Sequence, residues 1–345
     1  MEQDIRSQGS AKAGCGRAAT IGARVTDLAF LICVERGPLE AQAVLFAEAL
    51  RRWGGDLAEA PLHAFAPRPE ARPAAATTNR LHDLGATYVE APLNVKHQSL
   101  PTLNKVFVCA WAERELDHEV LVFADSDTVF LGEPSALIDG DWLVAVRPVD
   151  RKIAGSRGRG RNEPYWRRLY DALGVRSEPY TLTTVDGEPI RAYWNAGLVA
   201  ARRSAGLFGA WERAAERLVE LGLMHPKRPD FVDQFALAAI TADVHDRVQV
   251  LPETYNYPLA FRTSLPPPGR DLDLAEIVHL HYHRWFQLPG LLGLMEPSFD
   301  PAGERYRWLQ ERLPLEPRIE QPFPPKPGRR GPRQPIADAK RAVDG

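Results

Sequence analysis

The stretch Leu121-Val-Phe-Ala-Asp-Ser-Asp-Thr-Val-Phe130 decides how the chain is read. Leu121 to Ala124 is apolar and β-rich, with charge upstream at Asp117 and Glu119, so it reads as a buried strand ending at Asp125. Open α/β sheets bind ligands beyond the carboxyl ends of their strands, which is where Asp125, Ser126 and Asp127 fall. In extended chain, carboxylates at i and i+2 point the same way, and two ionised groups side by side repel unless a cation lies between them. Hard divalent ions, Mg²⁺ or Mn²⁺, suit such oxygen donors and keep positions open for phosphate. The pattern reads as a metal and diphosphate clamp. Its structural alternative is a solvated turn after a strand, and one Asp-x-Asp pair is too short to separate the two.

Composition sets the outer limits. With 345 residues, 44% hydrophobic and 26% charged, the chain can bury a full core as one large domain or two small ones. A formal net charge of −2 gives no electrostatic case for nucleic acid. Cys15, Cys33 and Cys109 are few and widely spaced, which fits a reducing compartment, with Cys33 and Cys109 as small core residues. No apolar run reaches membrane-spanning length, and the first twenty residues lack a signal-peptide core. The expected location is cytoplasmic, with at most peripheral membrane contact. Residues 1–24 read as a disordered arm and residues 316–345, rich in proline and arginine, as a disordered tail. One domain over residues 25–315 is left.

Upstream of the central strand, Asp27 to Val34 is a second apolar strand, Leu39 to Trp53 a helix and Pro61 to Ala66 another strand, together a β-α-β unit. Glu35 and Arg36 then follow the first strand on the ligand side, as a base or phosphate contact or as a solvated loop pair. A short helix capped by Thr77 or Thr78, a strand from Thr87 to Leu93 and a helix from Thr102 to Leu116 follow. Lys105 stands in the first turn of that last helix. It is either a phosphate partner at a helix N-terminus or an exposed helical residue.

Downstream, a strand spans Trp142 to Arg147. Between Arg151 and Arg168 seven basic residues face only Glu163, with three glycines among them; the stretch reads as a mobile lid, an acidic-acceptor contact or a solvated loop. Asp186-Gly187 turns a hairpin that delivers the strand Tyr193 to Ala200. On it, Ala196 and Gly197 let a ligand approach the backbone, and the amide of Asn195 supplies a donor and an acceptor. Leu207 to Leu221 is an amphipathic helix with both end leucines on its buried face. Asp230 is expected to cap the next helix, leaving Asp233 and Gln234 in its first turn to face a substrate or complete a capping box. Val248 to Asn256 is a strand leading to a loop. Glu276 to His283 alternates with period two, placing His279, His281 and His283 on one strand face, from which one imidazole can complete a site begun by two aspartates.

The ordered series Asp125-Ser-Asp127, Asn195-Ala-Gly197, Asp233-Gln234, Leu251-Pro with Asn256, and His281-Tyr282 resembles the motif series of GT-A-fold glycosyltransferases. It is most similar to the family 8 type, over about residues 27–290. The resemblance implies an α/β fold with a Rossmann-like nucleotide-binding mixed sheet flanked by helices. It further implies transfer of a sugar, with retention, from a nucleoside-diphosphate sugar, expected to be a UDP-sugar, to a saccharide, lipid or protein acceptor. Asp125, Asp127 and His281, with His279 competing, would hold Mn²⁺ or Mg²⁺. Asn195, Ala196, Asp233 and Gln234 would surround the donor sugar, and Lys105 would reach the nucleotide or diphosphate. The family's later lysine has no counterpart in His281-Tyr-His-Arg284, so Arg284 is the nearest candidate for the diphosphate. One rival is a haloacid-dehalogenase-like phosphatase, whose first motif Asp125-Ser-Asp-Thr-Val129 satisfies, with Asp125 as nucleophile and Asp127 as acid. There, however, a β-α-β unit and two further elements would not precede the motif. A non-catalytic carbohydrate-binding protein would need a degenerate metal site.

Overall fold

A computed structural model of the chain describes residues 27–295 and 299–315; the arm and tail expected from sequence, and Cys15, lie outside these residues. The first apolar run forms β1 (Leu28–Cys33), with all six residues buried. Pro38 opens α1 (Pro38–Trp53), and Glu40 accepts the Gly37 amide at 3.0 Å, satisfying a free donor at the helix start. Then come β2 (Leu62–Phe65), α2 (Ala75–Asp83), β3 (Ala86–Val89), α3 (Leu103–Glu115), β4 (Val120–Ala124), β5 (Thr128–Phe130) and β6 (Val144–Pro148). The second half holds α4 (Glu163–Leu173), β7 (Tyr180–Leu182), β8 (Pro189–Arg191), β9 (Trp194–Arg202), α5 (Leu207–Glu220) and α6 (Val232–Ala242). β10 (Val248–Val250), β11 (Tyr257–Pro258), β12 (His279–His281), α7 (Leu291–Leu294) and α8 (Glu304–Gln310) complete it.

Seven strands form one mixed sheet in the order β10-β6-β9-β4-β1-β2-β3, in which β9 alone runs against its neighbours. Both faces are covered. Ala29, Leu31 and Cys33 of β1 pack on one side with α3, α4, α5 and α6, while Leu28, Phe30 and Ile32 pack on the other with α1. A strand buried on both faces has no polar side to show, which is why β1 and β4 read as unbroken apolar runs. Each fully buried Leu, Ile or Phe there contributes roughly 1.5–3 kcal/mol relative to exposure. β5, β11 and β12 form a smaller sheet that packs with α7 and α8 beside the end of β4. No helix among the described residues is long and apolar enough to cross a membrane.

Several local expectations shift. β3 stops at Val89 rather than Leu93, just ahead of Pro92, which has no N–H for the ladder. Thr77 does not cap α2; its hydroxyl donates to Glu40 Oε2 at 2.6 Å and ties α2 to α1. Leu221 lies past the end of α5 and is exposed. Asp230 caps nothing: it sits in a 3₁₀ turn, Pro229–Phe231, and approaches Arg228 at 3.6 Å.

Candidate active site

β4 ends at Ala124, and the chain turns through Asp125, Ser126 and Asp127 into β5. β12 runs antiparallel to β5 and pairs His281 with Thr128, next to Asp127 in sequence. His281 Nε2 thereby comes 3.4 Å from Asp127 Oδ1. His283, two residues on, adopts φ 50° and returns its Nδ1 to 3.6 Å from the other oxygen of Asp127. Asp127, His281 and His283 offer three ligand atoms within 4.8 Å of one another. One carboxylate and two imidazoles suit a divalent ion, and the imidazoles favour Mn²⁺ over Mg²⁺. Burial works against the charged Asp127 carboxylate, yet His281 and His283 hold it well below the usual range.

Two supports fix His281. Its Nδ1 lies 2.9 Å from Asn256 Oδ1, an acceptor that calls for Nδ1–H, so Nε2 is the nitrogen turned to Asp127: it donates to the carboxylate while protonated and becomes a ligand atom once a cation displaces that proton. Its ring also fills the space where Gly197 lacks a side chain, since a Cβ there would sit 2.6 Å from His281 Cε1. Gly197 therefore makes room for a protein imidazole rather than for a ligand. His279 is the third histidine of the period-two pattern, but the structure does not bring it to the cluster. It is fully buried, accepts the Asn256 amide at 3.2 Å and lies 4.6 Å from the Phe130 ring; burial pushes its pKa well down. His283 does reach the cluster beside His281, but from beyond the strand, because β12 ends at His281 and the next turn redirects the chain.

Asp125 has a different partner. Lys105 Nζ lies 2.7 Å from one oxygen of Asp125, donates to the other at 2.9 Å and to the Ala196 carbonyl at 3.1 Å, and stands 3.6 Å from Asp233 Oδ2. Lys105 is buried rather than exposed; burial opposes its charge, but Asp125 and Asp233 outweigh that and raise its pKa. Asp233 is 1% exposed, its Oδ1 has no hydrogen-bond partner among the described residues, and burial foremost pushes its carboxyl up to about 6, against Lys105. Asp125 is thus held by a lysine and lies outside the Asp127 cluster.

Asp125, Asp127, Lys105, Asn195, Asp233, Gln234 and His281 all line one cleft of about 410 Å³. Several expected residues have partners within the protein. Glu35 is buried against Arg68 at 2.6 Å and accepts the Asn104 amide at 3.0 Å, so it has no free face for a nucleotide. Ser126 Oγ donates to the Cys33 carbonyl, tying the turn to the end of β1. Asn195 Oδ1 accepts the Gly197 amide at 2.8 Å. Arg284 is exposed and does not line the cleft. The basic stretch is no free loop: its last third lies in α4, and Arg157 pairs with Glu188. Within it, Glu163 accepts from Arg191 at 2.7 Å, Ser156 at 2.6 Å and Arg167 at 2.9 Å; these bonds, Arg191's first, hold its carboxyl down at about 2.

Asp150, Tyr193, Arg228 and Phe231 are among the lining residues that no sequence motif marks. Asp150 follows the carboxyl end of β6, the position that singled out Asp125 after β4, and burial pushes its carboxyl up to about 6. The other three carry no local sequence signal.

A family model described as the Rhodobacterales glycosyltransferase domain matches residues 30–245. No curated protein matches the sequence. Among solved structures, the bifunctional glycosyltransferase WbbM in its apo form aligns with 84% of this chain at 15% identity and a TM-score of 0.51. This chain spans about half of that protein, 52%. The galactosyltransferase LgtC, in complex with donor and acceptor sugar analogues, aligns over 83% of this chain and 96% of its own at 17% identity and a TM-score of 0.50. At such identities the likeness concerns the fold, and it bears out the GT-A expectation.

Proposed function

The chain belongs to the Rhodobacterales glycosyltransferase domain family, and from that premise we propose that it transfers a sugar from a UDP-sugar to an acceptor, with a divalent cation and with retention of anomeric configuration. Membership sets aside the phosphatase and the non-catalytic readings. The observation that carries the metal-dependent reading is the Asp127, His281 and His283 cluster, beyond the carboxyl end of β4 and in one cleft with Asp233 and Gln234. Bound there, Mn²⁺ supplies Lewis-acid stabilisation of charge on a departing diphosphate.

The chain's own residues do the rest. Asn256 fixes the His281 tautomer and Gly197 leaves the ring its space. Lys105 neutralises Asp125 and holds it beside Asp233, so two carboxylates share the cleft wall without a second ion. With its carboxyl at about 6, Asp233 is mostly ionised at neutral pH; it is placed to orient sugar hydroxyls with Gln234 and to oppose positive charge at the anomeric carbon. Under retention Asp233 is not required as a general base. Cleft groups with no hydrogen-bond partner among the described residues, Asp233 Oδ1 and the Tyr193 hydroxyl among them, are the kind a sugar satisfies. The test is UDP release from UDP-glucose, UDP-galactose and their N-acetylated forms with Mn²⁺, followed by NMR of the product's anomeric configuration. Release that needs Mn²⁺ and yields a retained anomer supports the reading. Absence of both UDP binding and UDP release with either Mn²⁺ or Mg²⁺ contradicts it.

A further inference from the structure

The cleft has a second charged wall, on the side of α6. Arg228 precedes the turn that leads into that helix, and its guanidinium carbon lies 3.4 Å from the centroid of the Phe231 ring. Stacking on an aromatic face fixes the plane of the guanidinium and leaves its edge N–H groups for a planar or tetrahedral oxyanion. Its carboxylate neighbour, Asp230, forms an ion pair with it, 3.6 Å from Nε, which is too long for a hydrogen bond. Among the described residues, the Arg228 side chain donates no hydrogen bond. Lys227 and Arg161 do not line the cleft but stand near Arg228: after burial, the largest cause, Arg228, Lys227 and Arg161 all push down the pKa of His225. In a molecule with a formal net charge of −2, these three cations stand close together, with Asp230 paired to Arg228 and the carboxylates of Asp150 and Asp233 elsewhere in the cleft.

An independent observation lies beside it. Tyr193 is 2% exposed and lines the same cleft, and its hydroxyl has no hydrogen-bond partner among the described residues. The ring is locked between Phe235, in a parallel stack at 5.3 Å, and Trp166, edge-on at 5.3 Å, so the hydroxyl does not swing away to find one. A buried phenol held toward a cleft without an acceptor is unfavourable until a ligand supplies that acceptor.

We propose that Arg228 and the Tyr193 hydroxyl form an oxyanion subsite, and that a saccharide substrate of this enzyme carries a carboxylate or phosphate group received there. The proposal rests on the glycosyltransferase reading above. The group is distinct from the donor's diphosphate, which that reading assigns to the Asp127 cluster. It belongs either to the donor sugar, as in a uronic acid, or to the acceptor, as in an acidic saccharide or a sugar phosphate.

Calorimetric titration of the full chain with Mn²⁺ separates these sources. The donor arm compares UDP-glucuronate with UDP-glucose; the acceptor arm compares glucuronate and glucose 6-phosphate with glucose, each with and without UDP present. In one arm the anionic ligand is expected to bind at least about tenfold more tightly than its neutral counterpart, as charge-assisted bonds to a guanidinium allow. Arg228→Gln should abolish that preference while leaving UDP affinity unchanged, Arg228→Lys should keep part of it, and Tyr193→Phe should weaken it. Equal affinity for anionic and neutral ligands in both arms overturns the proposal. So does a preference that survives Arg228→Gln in a variant that unfolds at the wild-type temperature. Failure of the donor reading looks different: UDP itself does not bind with Mn²⁺, while the comparison of glucuronate with glucose in its absence still decides whether Arg228 recognises an anion.

Discussion

Lys105 Nζ lies 2.7 Å from Asp125 Oδ1, so the first carboxylate of Asp125-Ser-Asp127 already has its cation, supplied by the protein. The second faces two imidazoles instead. The two aspartates therefore have different protein partners: Asp125 belongs to a buried ion-pair network with Lys105, and Asp127 to a group of three side chains that could hold a metal ion.

Removing the lysine tests that network. Lys105→Met keeps much of the side-chain volume but leaves Asp125 and Asp233 near each other without a cation. Breaking a buried pair in this way is expected to lower stability at pH 7 by about 3 kcal/mol, read by urea unfolding. The loss should be smaller at pH 5, where Asp233 takes up a proton. A change below about 0.5 kcal/mol, typical of a surface substitution, would place the lysine outside the network.

Asp233 makes a prediction with a defined pH window. Burial raises its carboxyl from an ordinary 3.8 to about 6. Between those values the folded protein keeps a proton that the unfolded chain has released, so this group's contribution to stability falls as pH rises from 4 to 6 and stays low above. Asp233→Asn should remove that fall, worth about 2–3 kcal/mol at most, so the variant unfolds no more easily than wild type at pH 7. Turnover should nevertheless drop at least about tenfold, roughly 1.4 kcal/mol in the barrier. Wild-type turnover would leave Asp233 a purely structural residue.

Gly197→Ala addresses the His281 ring directly. The added methyl meets Cε1 and Nδ1 of His281 at 2.6 and 2.7 Å, so the imidazole must move. Overpacking of this kind costs about 1–3 kcal/mol. Loss of Mn²⁺-dependent UDP binding should exceed what that destabilisation explains, because the displaced ring also leaves Asn256. Unchanged Mn²⁺ dependence would mean that His281 takes no part in holding the ion.

Glu163 anchors the basic segment through Arg191, which is 2% exposed. Its carboxyl is held at about 2, below the ordinary 4.5, so its stabilisation is fully present above pH 4.5 and is lost as pH falls toward 2. Glu163→Gln should lower stability by about 3 kcal/mol at pH 7, and the gap from wild type should close in acid. An equal gap at pH 2.5 and pH 7 would contradict the assignment.

What the sequence reveals follows from which interactions are local. β1, β4 and β9 were legible because strands buried on both faces must be apolar throughout, and the order of motifs carried the fold class. Asp125, Asp127, Lys105, Asn195, Asp233, Gln234 and His281 do gather in one cleft. Which carboxylate takes which partner was not legible, since Lys105 meets Asp125 across 20 residues of sequence. Exchanging His279 for His283 depends on a strand ending at His281 and a positive φ two residues later, both products of tertiary packing. Glu35 looked available because it follows a strand; Arg68, 33 residues on, occupies it. That the Tyr193 hydroxyl has no hydrogen-bond partner among the described residues, and that Arg228 stacks on Phe231, is visible only once every neighbour is in place.

The most direct measurement of the central claim is the thermal stability of the wild type and Asp127→Ala with UDP, each with and without Mn²⁺. Ligand that binds only the native state raises apparent stability, by about 2.7 kcal/mol at a hundredfold excess over Kd. On the metal-dependent reading, UDP stabilises the wild type only with Mn²⁺, and Asp127→Ala folds normally but shows no Mn²⁺-dependent shift. A Mn²⁺-dependent shift of wild-type size in Asp127→Ala would contradict it.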